Sequence, residues 1–140
     1  MATWGYGLSG CLGHGNYESC SSPKWIESVK SQSFSYIESG GYHNGAMTND
    51  SSLYMWGRGD VGQLGFENSR VIQKDEMGYV LTYPKKSSIK HVKQISLGEA
   101  HTLVLDLDNT LYAFGWGELG QLGVESTEVF HVYKHKQKFK

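Results

Sequence analysis

Two histidines occupy equivalent places in the chain, and a repeated histidine first suggests acid–base chemistry. His43 lies 13 residues before Trp56, and His101 lies 13 residues before Phe114. A histidine can serve as a general base near neutral pH, but a catalytic group is rarely duplicated at a fixed phase. We therefore predict that both are buried structural residues, and that each ring donates to a backbone carbonyl of a neighbouring strand.

The spacing of the glycines that follow His43 in the sequence resembles that of a phosphate-binding loop. Gly57, Gly59 and Gly62 match the G-x-G-x-x-G fingerprint of dinucleotide-binding proteins. That fingerprint requires a helix directly after it, and residues 63–65 do not begin one. We predict instead that these glycines turn the chain between structural units, and that no cofactor binds here.

Patterns that could hold a metal ion are weak. Cys11, His14 and Cys20 lack the paired close spacing of zinc ligands. Residues 106–109 begin like a calcium loop, but the required glycine and glutamate are absent further on. We predict no metal site, and we expect two reduced thiols rather than a disulfide framework.

One glycine-rich string occurs three times and organises the chain. It begins at Trp4, Trp56 and Phe114, and residues 92–125 align with residues 34–67 without a gap. We predict a structural repeat role for Trp4, Trp56, His43, His101, Gly57, Gly59, Gly62, Gly115, Gly117 and Gly120.

The elements that carry these residues are predicted to be β-strands. Short β-rich runs flank turn clusters, which predicts hairpins at about residues 45–56 and 103–114. The apolar residues spaced among polar ones in residues 90–97 predict a further strand. No helical period extends over 11 residues. The charged stretch Phe66–Ser88 is interpreted as an insertion.

Length and composition limit the class of protein. The 140 residues favour one domain, and 18 glycines with only 2 prolines exclude a collagen-like chain. The net charge of −1 disfavours nucleic acid as a partner. There is no apolar run long enough to span a membrane and no secretory pattern at Met1, so we expect an intracellular protein, cytoplasmic or nuclear.

The phased histidines, the hairpins and the glycine strings together resemble the repeat of the regulator of chromosome condensation family. The resemblance covers residues 1–124, and residues 125–140 are interpreted as a degenerate repeat or a basic tail. It implies an all-β fold, a partial β-propeller of antiparallel four-stranded blades. Known roles in the family include nucleotide exchange on the Ran GTPase, chromatin binding, and docking in ubiquitin ligases and ciliary proteins.

The chain departs from this family in its number of repeats. It holds two full repeats and a partial one, whereas a closed ring needs at least ~4 blades. Uncovered blade faces are apolar patches of the kind that mark an interface. We therefore expect further propeller blades, supplied by copies of the chain, by another chain or by a longer parent polypeptide.

The variable positions of the repeated loops are the best candidates for partner recognition. Trp116 fills the place that Tyr6 and Arg58 fill in the other strings. Loops on a rigid scaffold commonly carry recognition, and Trp and Arg are favoured at binding hot spots. The candidate partner-binding residues are Arg58, Asp60, Trp116 and Glu118.

No nucleophile–base–acid constellation is present, so we predict a non-enzymatic protein–protein interaction or scaffold module. One alternative is a fragment of a guanine-nucleotide exchange factor for a Ran-like small GTPase. The other is a subunit of a cytoskeletal or ciliary assembly. The basic tail, residues 134–140, is expected to be a solvated end, with an anionic partner as the alternative.

Overall fold

The computed structural model describes residues 1–66, 74–75, 78–125 and 132–135, and the regular secondary structure of this part of the chain is almost entirely β-strand. One 3₁₀ turn, Glu27–Val29, is its sole helical element, so no described helix has the length and apolarity that a membrane crossing requires. The strands are β1 Ala2–Gly5, β2 Cys20–Trp25, β3 Phe34–Ser39, β4 His43–Thr48, β5 Leu53–Arg58, β6 Lys74–Asp75, β7 Gly78–Lys86, β8 Val92–Leu97, β9 His101–Asp106, β10 Leu111–Gly115 and β11 Tyr133–His135.

The strands form three sheets that follow one another along the chain, which we call blades one, two and three. Blade one contains β1 and β2. Blade two has the strand order β3-β4-β5-β7, with β6 added at its edge, and blade three has the order β8-β9-β10-β11. Every described pairing is antiparallel, so the predicted all-β fold class is confirmed.

Both predicted hairpins are present at the same place in their blades. β4 pairs with β5 so that Ala46 faces Tyr54, and β9 pairs with β10 so that Val104 faces Tyr112. The two turns place a non-glycine residue, Ser51 or Asn109, at the same position in the left-handed region. The strand expected within residues 90–97 is also confirmed, as β8.

The interpretation of Phe66–Ser88 as an insertion is wrong for much of that stretch. β7 pairs with β5 and supplies blade two with its fourth strand. Its Val80 and Pro84 are buried, while its lysines lie at exposed positions. The charge therefore marks the solvent side of a blade strand. Residues 67–73 and 76–77 lie outside the described residues.

The apolar core lies between the blades. One cluster joins blade one to blade two, and its buried members are Ile26, Val29, Ala46 and Trp56. A larger cluster joins blade two to blade three, and its buried members are Leu53, Met55, Leu64, Ile89, Val92, Ile95, Val104 and Phe114. Each blade therefore buries its apolar surface against its neighbour, and the loops at the junctions are held by that packing.

Candidate interaction surface at the loop ends of the blades

Each glycine string folds into two successive tight turns at the same end of its blade. In blade two, the Gly62 amide donates to the Gly59 carbonyl over 3.1 Å, and the Gly65 amide donates to the Gly62 carbonyl over 3.0 Å. The strings that begin at Trp4 and Phe114 form the same pair of bonds. These backbone hydrogen bonds support the predicted role of the glycines in turning the chain. The same bonds fix the conformation of the loops.

The variable residue of the string is fixed through a backbone hydrogen bond, and its side chain differs from one string to the next. The Arg58 amide donates to the Tyr42 carbonyl over 2.8 Å, and the Trp116 amide donates to the Ala100 carbonyl over the same distance. The Arg58 side chain is exposed and that of Trp116 is partly buried. A rigid backbone that presents a variable side chain suits recognition, because little conformational entropy is lost on binding.

A cleft of about 310 Å³ lies between the loop ends of blades two and three. It brings together Arg58, Asp60 and Trp116, three of the four candidate residues. The fourth, Glu118, is exposed and does not line this cleft. The remaining lining residues, which sequence reasoning missed, are Tyr42, Val61, Gln63, Glu99 and Ala100. Tyr42 and Ala100 each lie directly before a phased histidine, and that repeated position is the sequence signal that could have identified this side of the cleft.

Hydrogen bonds and an aromatic ring orient the charged groups of the cleft. Arg58 Nη2 donates to Asp60 Oδ2 over 2.6 Å, and Gln63 Nε2 donates to Asp60 Oδ1 over 3.2 Å. The Arg58 guanidinium carbon also lies 6.0 Å from the centre of the Tyr42 ring. An ion pair this exposed adds little stability, so its main effect is to hold the guanidinium at the cleft rim.

A second cleft, of about 440 Å³, lies between the loop ends of blades one and two. Trp4, Tyr6 and Tyr42 line it and are all exposed. Tyr42 therefore contributes to both clefts. The two clefts adjoin at this residue and form one surface, the loop surface, which presents aromatic side chains and one arginine.

His43 is among the residues that line the cleft between blades one and two, but its ring belongs to a buried hydrogen-bond chain. His43 is 1% exposed, and its Nε2 lies 2.9 Å from Thr102 Oγ1, which in turn donates to the Gln63 carbonyl over 2.8 Å. The ring thus reaches a neighbouring backbone carbonyl through a hydroxyl rather than directly. Burial lowers the pKa of His43 to about 4, with the nearby charge of His101 as a smaller contribution and the His101 backbone opposing the shift. His43 is accordingly a neutral ring enclosed between two blades.

The repeat tryptophans and the second histidine lie in contrasting surroundings. Trp56 is fully buried and its Nε1 donates to the Cys11 carbonyl over 2.8 Å, whereas Trp4 is 58% exposed. His101, unlike His43, is only partly buried. Cys11 and Cys20 are free, and no three His, Cys, Asp or Glu side chains of the described residues could together hold a metal ion.

Comparison with known protein families and structures gives consistent results. The model of the regulator of chromosome condensation (RCC1) repeat matches residues 3–47 and 50–105, and a second model of the same repeat matches residues 92–121. Human E3 ubiquitin-protein ligase HERC2 is 34% identical over 86% of this chain and 2% of its own length. The ultraviolet-B receptor UVR8 of Arabidopsis thaliana is 35% identical over 89% of this chain and 27% of its own length.

Solved structures share the fold at lower identity. Prp20p from Saccharomyces cerevisiae superposes with a TM-score of 0.85 at 21% identity, covering 98% of this chain and 34% of Prp20p. Human WBSCR16 superposes with a TM-score of 0.76 at 22% identity, covering 95% of this chain and 32% of that protein. The predicted partial propeller is confirmed, and the chain spans about a third or less of the proteins named here.

Proposed function

The chain belongs to the regulator of chromosome condensation (RCC1) repeat family, and from that premise we propose that it is a non-enzymatic module that binds a protein partner. The partner is met at the loop surface, and further blades from the same or another polypeptide extend that surface. An intracellular site of action, cytoplasmic or nuclear, is part of the proposal. The observation that carries it is the pair of adjoining clefts that gathers Tyr6, Tyr42, Arg58 and Trp116.

The chemistry of this surface favours a protein over a small molecule. Exposed aromatic side chains are costly to leave in contact with water, and a contiguous set of them marks an interaction site. Tyrosine, tryptophan and arginine supply much of the binding energy in protein interfaces because they combine large contact areas with polar groups. The backbone bonds at Arg58 and Trp116 hold these groups in place before a partner arrives.

Site-specific photo-crosslinking tests the proposal. A photoreactive phenylalanine analogue is placed at position 6, on the loop surface, or at position 107, where exposed Leu107 lies at the opposite end of blade three. We expect a defined protein adduct in cells from position 6 and none from position 107. Arg58→Ala combined with Trp116→Ala removes the adduct if the surface recognises the partner. An adduct that survives both substitutions in a folded chain rejects the loop surface as the binding site.

The two alternative functions give different outcomes in further assays. A nucleotide-exchange fragment accelerates release of a fluorescent GDP analogue from a Ran-like GTPase, and we expect no acceleration. A cytoskeletal or ciliary subunit gives a tubulin or axonemal adduct at position 6. Accelerated GDP release, or a tubulin or axonemal adduct, would replace the general proposal with the corresponding specific function. This holds only if the double variant Arg58→Ala with Trp116→Ala abolishes that activity or that adduct.

A further inference from the structure

The segment that joins blade two to blade three carries a concentrated positive charge. Residues 85–93 contain Lys85, Lys86, Lys90 and Lys93, four of the chain's 13 basic residues, and no acidic residue. All four lysines are exposed. Lys86 pairs with Tyr54, close to the hairpin turn of blade two, so this segment lies at the end of the blades opposite the loop surface. None of these lysines forms an ion pair within the described residues.

Two adjacent serines in this segment have very different surroundings. Ser87 is 7% exposed, its amide donates to the Leu53 carbonyl over 2.8 Å, and its hydroxyl accepts the Ile89 amide over 3.2 Å. Ser88 is exposed, and no described residue hydrogen-bonds to its hydroxyl. The Ser88 hydroxyl is therefore available as a phosphate acceptor, whereas the hydroxyl of Ser87 is buried and hydrogen-bonded.

The backbone before Ser88 is extended and accessible from one side. β7 pairs with β5 along its length, but β6 reaches only Gly78 and Tyr79 on the other side. The outer edge of β7 at Lys85 and Lys86 thus pairs with no described strand. Protein kinases hold their substrates as extended segments, and charge patterns around the acceptor decide which kinase binds. Lys85 and Lys86 lie three and two positions before Ser88, where kinases with an acidic substrate groove select basic residues.

We propose that Ser88 is a phosphorylation site for a basophilic serine/threonine kinase, and that its phosphate is received by Lys90, His91 and Lys134. In the transfer, the Ser88 hydroxyl oxygen bonds to the γ-phosphorus of ATP while the bond to the β-phosphate oxygen breaks. ADP leaves, and the hydroxyl proton passes to the kinase's catalytic base and then to water. The product carries three strong acceptor oxygens and nearly two negative charges.

The receiving groups line one cleft with Ser88. This cleft, of about 280 Å³, includes Lys90, His91 and Lys134. Tyr112 positions Lys134, whose ammonium lies 5.7 Å from the centre of the ring. Lys134 belongs to β11 in blade three, whereas Ser88 follows β7 in blade two. A phosphate held by both would therefore tie the last strand of blade three to the segment that precedes it.

Two carboxyl groups also line the cleft and limit where the phosphate lies. Both oxygens of Asp106 are occupied, Oδ1 by the Thr110 amide over 2.8 Å and Oδ2 by the Tyr112 hydroxyl over 3.1 Å. Asp108 is exposed and repels an anion. The phosphate therefore turns toward the lysines, where charge-assisted hydrogen bonds are available.

Phosphorylation of the intact chain tests the acceptor. The chain is incubated with Mg-ATP and the catalytic subunit of cAMP-dependent protein kinase, and the product is mapped by mass spectrometry. We expect one phosphoryl group on Ser88, none on Ser88→Ala, and retention of the site in Ser87→Thr, the matched control. Lys85→Ala with Lys86→Ala lowers the rate about tenfold or more, since the kinase loses its charge contacts. Phosphate on another residue, no incorporation, or a rate unchanged without the two lysines overturns the proposal.

A ³¹P titration tests the receiving cleft separately. Cationic neighbours favour the dianion, so the second pKa of the phosphate in the folded chain falls below its usual ~6. Lys90→Ala and Lys134→Ala each bring it back toward the value in a peptide of residues 82–94, and Lys24→Ala, a distant exposed lysine, does not. A phosphate that titrates as it does in the peptide overturns the assignment of Lys90, His91 and Lys134.

Discussion

The junctions between the blades and the two ends of the repeat series contain the same residue types in opposite surroundings. His43 is buried at the junction of blades two and three, where it bonds to Thr102, and Trp56 is buried at the junction of blades one and two, where it bonds to the Cys11 carbonyl. At the ends, Trp4 is largely exposed and His101 is only partly buried. The repeat signature therefore specifies contacts to the neighbouring repeat rather than contacts within its own blade.

The contact between successive repeats follows one rule with different side chains. The residue after each phased histidine donates to a carbonyl in the preceding glycine string. Asn44 Nδ2 reaches the Cys11 carbonyl over 2.7 Å, and Thr102 Oγ1 reaches the Gln63 carbonyl over 2.8 Å. Since Cys11 and Gln63 hold the same place in their strings, the position is defined by its backbone oxygen. Side-chain identity can vary there without loss of the bond.

The largest expected effect of the uncovered ends is on the association state. Repeat arrays gain much of their stability from the interfaces between units, and each end of this series leaves one interface unformed. We predict that a polypeptide of these 140 residues is not a monodisperse monomer of 15.6 kDa. Analytical ultracentrifugation at micromolar concentration measures this. A single 15.6 kDa species with a sharp cooperative melt would show that the ends need no cover.

The next effect separates the two repeat tryptophans. Trp56→Ala leaves a cavity between blades one and two and removes the bond to the Cys11 carbonyl, so the free energy of unfolding should fall by about 3–5 kcal/mol. Trp4→Ala removes an exposed ring and should change it by about 0.5 kcal/mol or less. Urea denaturation followed by circular dichroism gives both values. Similar losses of unfolding free energy for the two variants would contradict the inference that the repeat tryptophan is buried by contact with the neighbouring repeat.

A pH titration tests the burial of His43 at the junction between blades two and three. The pKa of His43 is near 6.5 when unfolded and about 4 when folded, so the unfolded chain alone binds this proton between those values. The free energy of unfolding should therefore fall as the pH drops from 6.5 toward 4, by up to about 3 kcal/mol, and this contribution should level off below pH 4.

Denaturation curves across that pH range, with His43→Gln as the matched variant, isolate the contribution of this one ring. The difference in unfolding free energy between wild type and variant should shrink as the pH falls. A difference that stays constant would mean that His43 titrates normally in the folded chain. The inference that the His43 ring is enclosed between the blades would then be wrong.

Much of the fold could be predicted from the sequence because its information is local. The hairpins around β4–β5 and β9–β10 depend on short β-rich runs and turn residues, and the glycine strings are self-contained turns. β2 and β7 were not predicted as strands. β7 carries its charges on exposed positions, and β2 is exposed along nearly all of its length, so neither shows a periodic apolar pattern.

The candidate surface was predicted only in part, because one wall of each cleft comes from a different repeat. Arg58, Asp60 and Trp116 lie in the glycine strings and could be selected as variable loop positions. Tyr42 and Glu99 lie in the turns before the phased histidines, and only the stacking of the blades brings them to the same cleft. Glu118 shares the string but not the cleft, since no described repeat follows it to form an opposite wall.

The smallest expected effect compares two glycines at equivalent turns. Gly65 and Gly123 both have a positive φ, of 71° and 68°, so alanine costs about 1 kcal/mol of backbone strain at either. A Cβ at Gly65 would also lie 2.7 Å from the Phe114 ring, in the junction between blades two and three, and relieving that overlap costs a further 1–3 kcal/mol, roughly. A Cβ at Gly123 would meet the His135 ring at 3.8 Å, which is ordinary van der Waals contact. Urea denaturation should thus show Gly65→Ala as the more damaging substitution, while equal losses would mean that Phe114 moves aside freely and that the junction is looser than its burial indicates.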